Sequence, residues 1–352
     1  MTARSTEPPV DAKPAELPAA VSQTWRQFLE VYEPLRPALY RFCRYLSRSP
    51  WDAEDLVQDS LARAFATLAG MMEPPRDPQA WLFRVASNLW IDHVRRHAAR
   101  PGATEDVAQI AAGAQDATAV SARDTREAAG TLLVQLSPQE RAAVVLKDAF
   151  ELGLDEIAEI LATSTGAVKA ALHRGRGKLV APASDTARAP APGVLDAFCA
   201  AFNARDVGRL TALLLDHAAV EVVGAATMFG AEQARNTVLP GMLFGARRIA
   251  MPADGGTCDG IDPRFAQGAL PEPARLELRD HRGEFLLVSW YAHHDGEFVR
   301  AISRVELSDG DSRIARLRNY FYTPEVIAEV CGELDLPCRV NGTFRARGPA
   351  IP

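Results

Sequence analysis

The chain has 352 residues, of which 47% are hydrophobic and 24% are charged, and these proportions are typical of soluble globular proteins. A single core does not usually extend over so many residues, so we expect two or three domains. The formal net charge of −6 by itself argues against a nucleic-acid-binding protein, because such proteins offset phosphate charge. The charge of each segment is therefore more informative about nucleic-acid binding than the net charge of the whole chain.

Cysteine usage and the N-terminal sequence indicate the compartment. The five cysteines are odd in number, and no pair has the close spacing of a zinc or redox site, which favours a reducing cytoplasm. Residues 1–20 lack the basic start and apolar stretch of a signal peptide. No segment approaches the roughly 20 apolar residues that cross a bilayer. We expect a cytoplasmic protein without membrane segment, metal or cofactor.

The first helical pattern follows a Pro- and Ala-rich tail, residues 1–20. Apolar residues recur at helical spacing over residues 25–46, 51–65 and 78–97. Pro34 and Pro37 are expected to bend the first of these segments. The sequence predicts a compact all-helical module over residues 21–98.

A predicted linker and a second helical module come next. Residues 99–122 are rich in Ala, Gly, Thr and Asp and contain few large apolar groups, so they cannot bury much surface. The second module, residues 123–180, has a strong helix start: Ser137 can cap, Pro138 suits the first helical position, and Glu140 can complete a capping box.

Residues 152–179 form the most specific local pattern. Leu154, Ile157 and Leu161 share one apolar face, and Val168 and Leu172 begin another after a short turn, as in a helix-turn-helix. The second helix carries only cationic charges, at Lys169, His173, Arg174, Arg176 and Lys178. This local charge favours DNA binding. The alternative is a basic amphipathic helix whose charges are merely solvated.

The pattern changes after an Ala- and Pro-rich linker, residues 181–192. Helices are predicted near residues 194–204 and 207–215. Strand-like runs follow at residues 219–223, 275–278, 285–292, 298–307 and 314–321. Helices followed by strands predict a separate α+β domain over residues 193–323. The final stretch, residues 324–352, either packs on the helical modules or closes this domain.

Both helical modules resemble the extracytoplasmic-function (ECF) sigma factors, which guide bacterial RNA polymerase to promoters. Residues 136–146, 154–161 and 168–174 are similar to region 4 of that family, and residues 52–59 and 81–96 are similar to region 2. The motifs have the family's order and separation. The resemblance implies a multidomain, non-enzymatic protein with a region 2 helical bundle and a region 4 helix-turn-helix. Its implied partners are promoter DNA and core RNA polymerase, with its β′ and β subunits.

The resemblance also implies roles for individual residues of region 2. The helix that docks on polymerase β′ would present Asp55, Leu56, Gln58 and Asp59. The strand opened at the minus-ten element would meet Arg84, Asn88, Arg95 and Arg96. For the carboxylates, a solvated face or a favourable helix-dipole interaction is the alternative. Trp81 and Trp90 are expected to lie in the core.

For the minus-thirty-five element, the resemblance implies contacts from Ser164, Thr165, Lys169, His173, Arg174 and Arg176. Lys169 and His173 would read base edges in the major groove, whereas the arginines would hold phosphates. Two features depart from the family. Ala171 stands where many relatives carry Arg, and Gly175 and Gly177 weaken a helix by up to about 1 kcal/mol each. We therefore expect promoter binding that is either modest in affinity or differently specified.

In relatives the linker between the modules threads the RNA exit path of the polymerase. Acidic residues of this linker, Glu105, Asp106 and Asp116, could imitate nucleic-acid charge there. A plain solvated tether is the alternative.

Residues 193–321 resemble the SnoaL-like, nuclear-transport-factor-2-like fold, a curved antiparallel sheet wrapped by helices into a cone. In sigma factors that carry such a domain, it is implied to regulate the sigma modules. Residues 254–258 are weakly similar to a segment that influences activity in those proteins. Two alternatives use the cone itself. It could bind a small molecule as a sensor, or act as an enzyme with an acid–base pair drawn from Asp216, His217, His293, His294 and Asp295.

Overall fold

The computed structural model describes residues 17–68, 70–71, 73–98, 136–177, 192–244, 273–308 and 313–343. The linker predicted at residues 99–122, with its acidic side chains, lies outside the described residues. So do Lys178, residues 254–258 and nearly all of the second predicted linker. None of the described helices is long and apolar enough to cross a membrane.

The first module is all-helical, as predicted. Its helices are α1 (Leu17–Tyr32), α2 (Arg36–Ser47), α3 (Pro50–Leu68) and α4 (Pro78–Ala98). Helix α1 begins four residues inside the predicted tail. A single 3-10 turn, Glu33–Leu35, separates α1 from α2, where the prolines were expected to bend the chain. One face of α2 lies in the core. This face carries Leu39, Phe42 and Leu46, which are fully buried and spaced at helical intervals.

The described part of the second module, residues 136–177, contains α5 (Pro138–Asp148), α6 (Leu154–Ile160) and α7 (Thr165–Gly177). The predicted capping box is present at the start of α5. The Ser137 hydroxyl accepts a hydrogen bond from the Glu140 amide at 3.3 Å, and the Glu140 carboxylate accepts one from the Ser137 amide at 3.0 Å. These bonds satisfy amides that the first turn leaves without helical partners. Helices α6 and α7 form the predicted helix-turn-helix.

The two helical modules pack directly on each other. The rings of Phe42 and Phe83 from the first module lie 5.9 and 5.0 Å from that of Phe150, which follows α5. Arg141 of α5 donates a hydrogen bond to the Leu46 carbonyl at the end of α2, at 2.6 Å. This contact satisfies a carbonyl that the helix end leaves unpaired. The result is one continuous core shared by both modules.

The C-terminal domain is α+β, as predicted. Among its described residues, the helices are α8 (Gly193–Asn203), α9 (Val207–Ala212), α10 (Ala231–Asn236), α11 (Val238–Phe244) and α12 (Pro324–Glu333). Its strands are β1 (Leu214–Val222), β2 (Ala226–Phe229), β3 (Pro273–His281), β4 (Glu284–His293), β5 (Gly296–Leu307) and β6 (Ile314–Asn319). They form one sheet in the order β2-β1-β6-β5-β4-β3.

Two expectations for this domain were wrong in detail. The sheet is mixed rather than antiparallel, because β1 and β6 run parallel, and the long connection through the other strands permits this pairing. The helix expected over residues 207–215 ends at Ala212, and β1 begins at Leu214. Leu214 leaves the helical pattern because it pairs with Ile314 of β6, a partner 100 positions away.

The two faces of the sheet serve different purposes. Leu287 and Leu317 point to one face, where they pack with Phe198 and Phe202 of α8 in the core of the C-terminal domain. The opposite face, which includes Val288 and Ile302, packs on α12 and belongs to the same core as the first module. The C-terminal domain is therefore joined to the first module through a hydrophobic surface.

Candidate functional site

Helix α7 presents its cations on an exposed surface. Val168, Ala171 and Leu172 are buried against the rest of the module, whereas Lys169 and His173 are exposed one turn apart. At the start of the helix, the exposed Ser164 accepts a hydrogen bond from the Ala167 amide at 3.1 Å, and Thr165 is half-buried. Ser164 is thus an N-cap as well as a candidate DNA contact.

The two arginines of α7 are held by carboxylates of α5 but remain accessible. Arg174 donates to Glu140 at 3.0 Å, and Arg176 donates to Asp148. Their side chains are still 59% and 53% exposed, so solvent screens both ion pairs. These contacts attach the two guanidinium groups to α5 while more than half of each side chain stays accessible to solvent.

Two of the residues that depart from the family pattern, Ala171 and Gly175, have structural explanations. Ala171 is only 8% exposed, so an Arg at this position would not lie on the surface that carries Lys169 and His173. Gly175 lies where α7 meets α5, and a Cβ atom there would be 2.9 Å from Cγ2 of Val144. Gly175 therefore permits close packing of the two helices, which offsets its low helix propensity.

Helix α4 carries the four residues predicted for the minus-ten element. Asn88, Arg95 and Arg96 are exposed. Arg84 is 36% exposed and donates a hydrogen bond to the Glu159 carbonyl of α6 at 2.6 Å. Trp90 is buried, and Trp81 is half-buried in the core cluster. One of the four candidate DNA contacts is therefore engaged by the second module.

Helix α3 carries the candidate docking residues, and the structure brings them against the C-terminal domain. The Arg318 guanidinium of β6 donates two hydrogen bonds to the Asp55 carboxylate, one of them 2.9 Å long. Gln58 lies beside the turn at Gly224. A Cβ atom added to Gly224 would be 3.0 Å from the side-chain amide nitrogen of Gln58. Asp59 is exposed, and Leu56 is buried in the core.

The Arg318 guanidinium lies between two carboxylates at this contact. Arg318 is 10% exposed and bonds Glu221 of β1 at 2.9 Å in addition to Asp55. Burial alone would lower the pKa of the Arg318 guanidinium, but its hydrogen bonds to Asp55 and Glu221 raise it. For Asp59, burial and the charge of Asp55 both raise the carboxyl pKa. The candidate docking face therefore lies at the interface with the C-terminal domain.

Comparison with known proteins identifies the helical modules. Sigma-70 region 2 matches residues 31–100, and Sigma-70, region 4 matches residues 126–179. The ECF RNA polymerase sigma factor SigM of Mycobacterium tuberculosis is 33% identical over 47% of this chain and 82% of its own length. The chain belongs to the ECF sigma factors. This family is non-enzymatic and acts in transcription initiation.

Other ECF sigma factors match over different shares of their length. SigW of Bacillus subtilis is 29% identical over 43% of this chain and 86% of its own length. SigJ of Mycobacterium tuberculosis is 32% identical over 52% of this chain, which spans 61% of that relative.

Solved structures give weaker matches. The crystal structure of SigJ is 22% identical, with a TM-score of 0.30, and the match covers 83% of this chain and 95% of that one. An NTF-2 like protein from Burkholderia xenovorans is 12% identical, with a TM-score of 0.23, and covers 44% of this chain and 86% of that one.

In this ECF sigma factor, α12 binds region 2 through two glutamates, Glu325 and Glu329, that the sequence analysis did not single out. The buried Arg36 of α2 lies between Glu54 and Glu325 and bonds both. Burial alone would lower the pKa of the Arg36 guanidinium, but the two carboxylates raise it. An unpaired charge at this position would be costly, and two carboxylates compensate for its burial.

The same surface continues along both helices. Glu329 accepts hydrogen bonds from the Tyr40 hydroxyl at 2.8 Å and from Arg44 at 2.5 Å. Glu333 bonds His281 and Arg282 of the β3–β4 hairpin. A sequence signal for this contact exists, because residues 36, 40 and 44 and residues 325, 329 and 333 each recur every four positions, on one helix face. Helix α12 therefore packs on region 2 and also closes the C-terminal domain.

Among the candidate acid–base residues, His294 and Asp295 are in contact, with Nδ1 and Oδ1 3.8 Å apart, but they lie on an exposed turn and not in a pocket. Asp216 and His217 lie on β1 and are exposed, and Asp216 pairs with Arg313 at 3.5 Å. His294 is 89% exposed. Burial, and then Arg300 and Arg339, lower the pKa of His293. Within the described part of the chain, no group of three His, Cys, Asp or Glu side chains could hold a metal ion.

Proposed function

We propose that this ECF sigma factor binds core RNA polymerase through the α3 face formed by Asp55, Gln58 and Asp59. Leu56 contributes by anchoring α3 to the core rather than by contact with the polymerase. The partial exposure of Asp55, at 43%, and the exposure of Asp59 support this role. Carboxylates on such a face suit a basic partner surface.

Promoter recognition in this proposal uses α7 and α4. Lys169 and His173 read base edges of the minus-thirty-five element, while Arg174 and Arg176 hold phosphates, with Ser164 and Thr165 at the start of the helix. At the minus-ten element, Asn88 pairs with a base edge. The cations of α4, at Arg84, Arg95 and Arg96, hold the separated strand.

We further propose that the C-terminal domain restrains polymerase binding, and the contact between Arg318 and Asp55 carries this conclusion. A carboxylate that accepts both hydrogen bonds of a guanidinium is already neutralised, so it cannot bind a polymerase cation at the same time. The turn at Gly224 covers Gln58 from the same side. Polymerase and the C-terminal domain therefore compete for α3.

The packing of region 4 on region 2 imposes a second restraint. The two promoter elements are separated by about 25 base pairs, which is roughly 85 Å at about 3.4 Å per base pair. Arg84 of the minus-ten helix is in contact with Glu159, in the helix that precedes α7. Regions 2 and 4 must therefore separate before both promoter elements are read together.

Substitution of Arg318 tests the competition. We expect Arg318→Gln to bind core polymerase about tenfold more tightly than the wild type, because a coupling of about 1.4 kcal/mol is lost from the competing state. Transcription in vitro from a responsive promoter should rise with it. Binding is measured by titrating labelled sigma factor with core polymerase, and folding is checked by thermal unfolding.

Arg316→Gln is the matched control, because Arg316 bonds Glu221 and Glu306 rather than Asp55. It should bind polymerase as the wild type does. Asp55→Asn should lose polymerase affinity although it also releases Arg318. A folded Arg318→Gln protein with no gain over Arg316→Gln would contradict the restraint, and full polymerase binding by Asp55→Asn would contradict the docking face.

A further inference from the structure

A cleft of about 220 Å³ lies between region 2 and the C-terminal domain. Its region 2 wall runs from the last residue of α2 to the first turn of α3, residues 47–52. Its other wall consists of His281, Arg282, Glu284 and Arg304, from the β3–β4 hairpin and β5. Neither module forms the cleft alone.

Arg48, in the region 2 wall, is the most unusual residue of the cleft. Among the described residues, no carboxylate lies within 4 Å of its guanidinium, and its Nε atom is buried without a hydrogen-bond partner. Burial, and then the charges of Arg44 and Arg282, lower its pKa. Partial burial of a cation beside other cations costs free energy, because water solvates it poorly and the like charges repel it. An anion that binds there replaces the lost solvation and offsets this cost.

The backbone adds an independent observation. Arg48 has φ = 68° and Arg282 has φ = 55°, so both are in the left-handed region that Gly and Asn occupy at lower cost. Arg48 ends α2, and Arg282 is the first residue of the two-residue β3–β4 turn, where Asn-Gly is the favoured sequence. Two arginines on opposite walls of one cleft thus have a backbone conformation that is unfavourable for arginine.

The other charged groups of the cleft already have compensation. Arg304 bonds Glu284 at 2.6 Å, and Arg282 bonds Glu333 at 2.7 Å. Burial, and then the charge of Asp55, raise the pKa of Asp52, whereas Arg304 lowers it. The three arginines of the lining exceed its two carboxylates, and Arg48 is the one that no described carboxylate neutralises.

We propose that this cleft binds a small phosphate-type oxyanion, held by the Arg48 guanidinium of region 2, with the Glu333-paired Arg282 of the C-terminal domain adding positive charge on the facing wall. A guanidinium group matches two oxygens of a phosphate at once, which gives the strongest contact of this kind. The volume fits a phosphate or a small phosphomonoester rather than a dinucleotide. Because both modules supply walls, the anion binds their joined arrangement more tightly than the separated one and stabilises it.

Binding of inorganic phosphate to the full chain tests this site. Isothermal titration is performed with sodium phosphate, and with sodium chloride at equal ionic strength as reference. We expect saturable binding of phosphate by the wild type and a higher unfolding temperature in phosphate than in chloride. Glucose 6-phosphate is a second probe. Tighter binding of this probe would identify a phosphomonoester as the ligand, and equal or weaker binding would identify free phosphate.

Arg48→Asn is the decisive variant, because Asn removes the cation yet suits a positive φ. Its unfolding temperature in chloride should equal or exceed that of the wild type, and its phosphate affinity should fall at least tenfold. Arg282→Asn, which creates the favoured Asn-Gly turn, should also weaken phosphate binding.

Arg209→Gln removes one exposed cation of α9 and is the control for net charge. It should bind phosphate as the wild type does. Phosphate binding by Arg48→Asn at wild-type affinity, or the absence of saturable binding by the wild type, would overturn the proposal. Both readouts use the free protein, so they are independent of polymerase binding.

Discussion

Gly175 has opposite expected effects on the stability of α7 when it is judged by helix propensity and when it is judged by packing. In sequence it weakens the recognition helix, because glycine has low helix propensity. In the structure it is buried where α7 crosses α5, with Val144, Glu140 and Leu136 around the position of its absent Cβ atom. Helix propensity is a local property, whereas the demand for close approach comes from the partner helix.

We predict that Gly175→Ala destabilises region 4 despite its higher helix propensity. The added methyl group would lie 2.9 Å from Cγ2 of Val144, which is 5% exposed and has little room to move. Overpacking of this kind costs about 1–3 kcal/mol, more than the roughly 1 kcal/mol that alanine gains in a helix. Urea unfolding followed by helical circular dichroism measures the difference.

Gly166→Ala is the control within the same helix, because the nearest atom to its added Cβ would be the Ser164 hydroxyl at 3.8 Å. It should leave stability unchanged or raise it slightly. Equal stability of the two variants would show that α5 does not constrain position 175.

At the scale of secondary-structure elements, α12 and α2 form a matched pair of charged stripes. Glu325, Glu329 and Glu333 lie on one face of α12, and Arg36, Tyr40 and Arg44 lie on one face of α2. Side chains four positions apart share a helix face, so the two helices meet as complementary surfaces. The sequence contains both stripes, but nothing in it pairs elements almost 290 positions apart.

The contact of Glu333 with His281 and Arg282 predicts a pH dependence of the free energy of unfolding. Burial alone would raise the pKa of Glu333, but its hydrogen bond with His281 and the charge of Arg282 hold it below its ordinary value of 4.5. A lowered folded-state pKa contributes stability that is present above the ordinary value and is lost as pH falls through the folded one. We expect Glu333→Gln to cost roughly 1–3 kcal/mol at pH 7. This difference should shrink as the pH falls below 4.5.

Thermal unfolding of wild type and variant between pH 7 and pH 3 measures this effect. Glu306→Gln is the control, because Glu306 is 63% exposed and its contact with Arg316 is 3.9 Å long. The stability of Glu306→Gln should differ little from that of the wild type at every pH. A difference for Glu333→Gln that stays constant down to pH 3 would contradict the role given to its ionised form.

At the scale of the whole molecule, three aromatic rings hold the helical regions together. Phe150 follows α5 and packs on Phe42 and Phe83 of region 2, and Arg41 lies over its ring at 5.9 Å. The arrangement therefore keeps region 4 beside region 2, whereas the promoter recognition proposed above requires their separation.

We predict that Phe150→Ala shifts the molecule toward a separated arrangement. Truncation of this half-buried ring should cost about 1–3 kcal/mol, less than the 3–5 kcal/mol of a fully buried one. The radius of gyration from small-angle X-ray scattering should increase, while helical circular dichroism stays unchanged. Phe229→Ala removes a ring that is 72% exposed and should leave the scattering unchanged. A wild-type radius for Phe150→Ala would show that other contacts hold the regions together.

The candidate site was predictable where function depends on one helix. Lys169 and His173 follow from α7 alone, and both are exposed on one surface as expected. Arg84 and Asp55 were predicted to contact DNA and polymerase, and in the structure they also bond Glu159 and Arg318. Those partners are 75 and 263 positions away, so no local pattern indicates them.

The sequence by itself determined the two sigma regions, their order and the α+β class of the third domain. These follow from helical and strand periodicity and from motifs within short segments, which depend on neighbouring residues. Only the tertiary structure decided which surfaces are covered. It placed Arg318 on Asp55, α12 on α2, and Arg48 and Arg282 on one cleft. Such contacts depend on shape and charge between segments remote in sequence, where many pairings are compatible with the same local patterns.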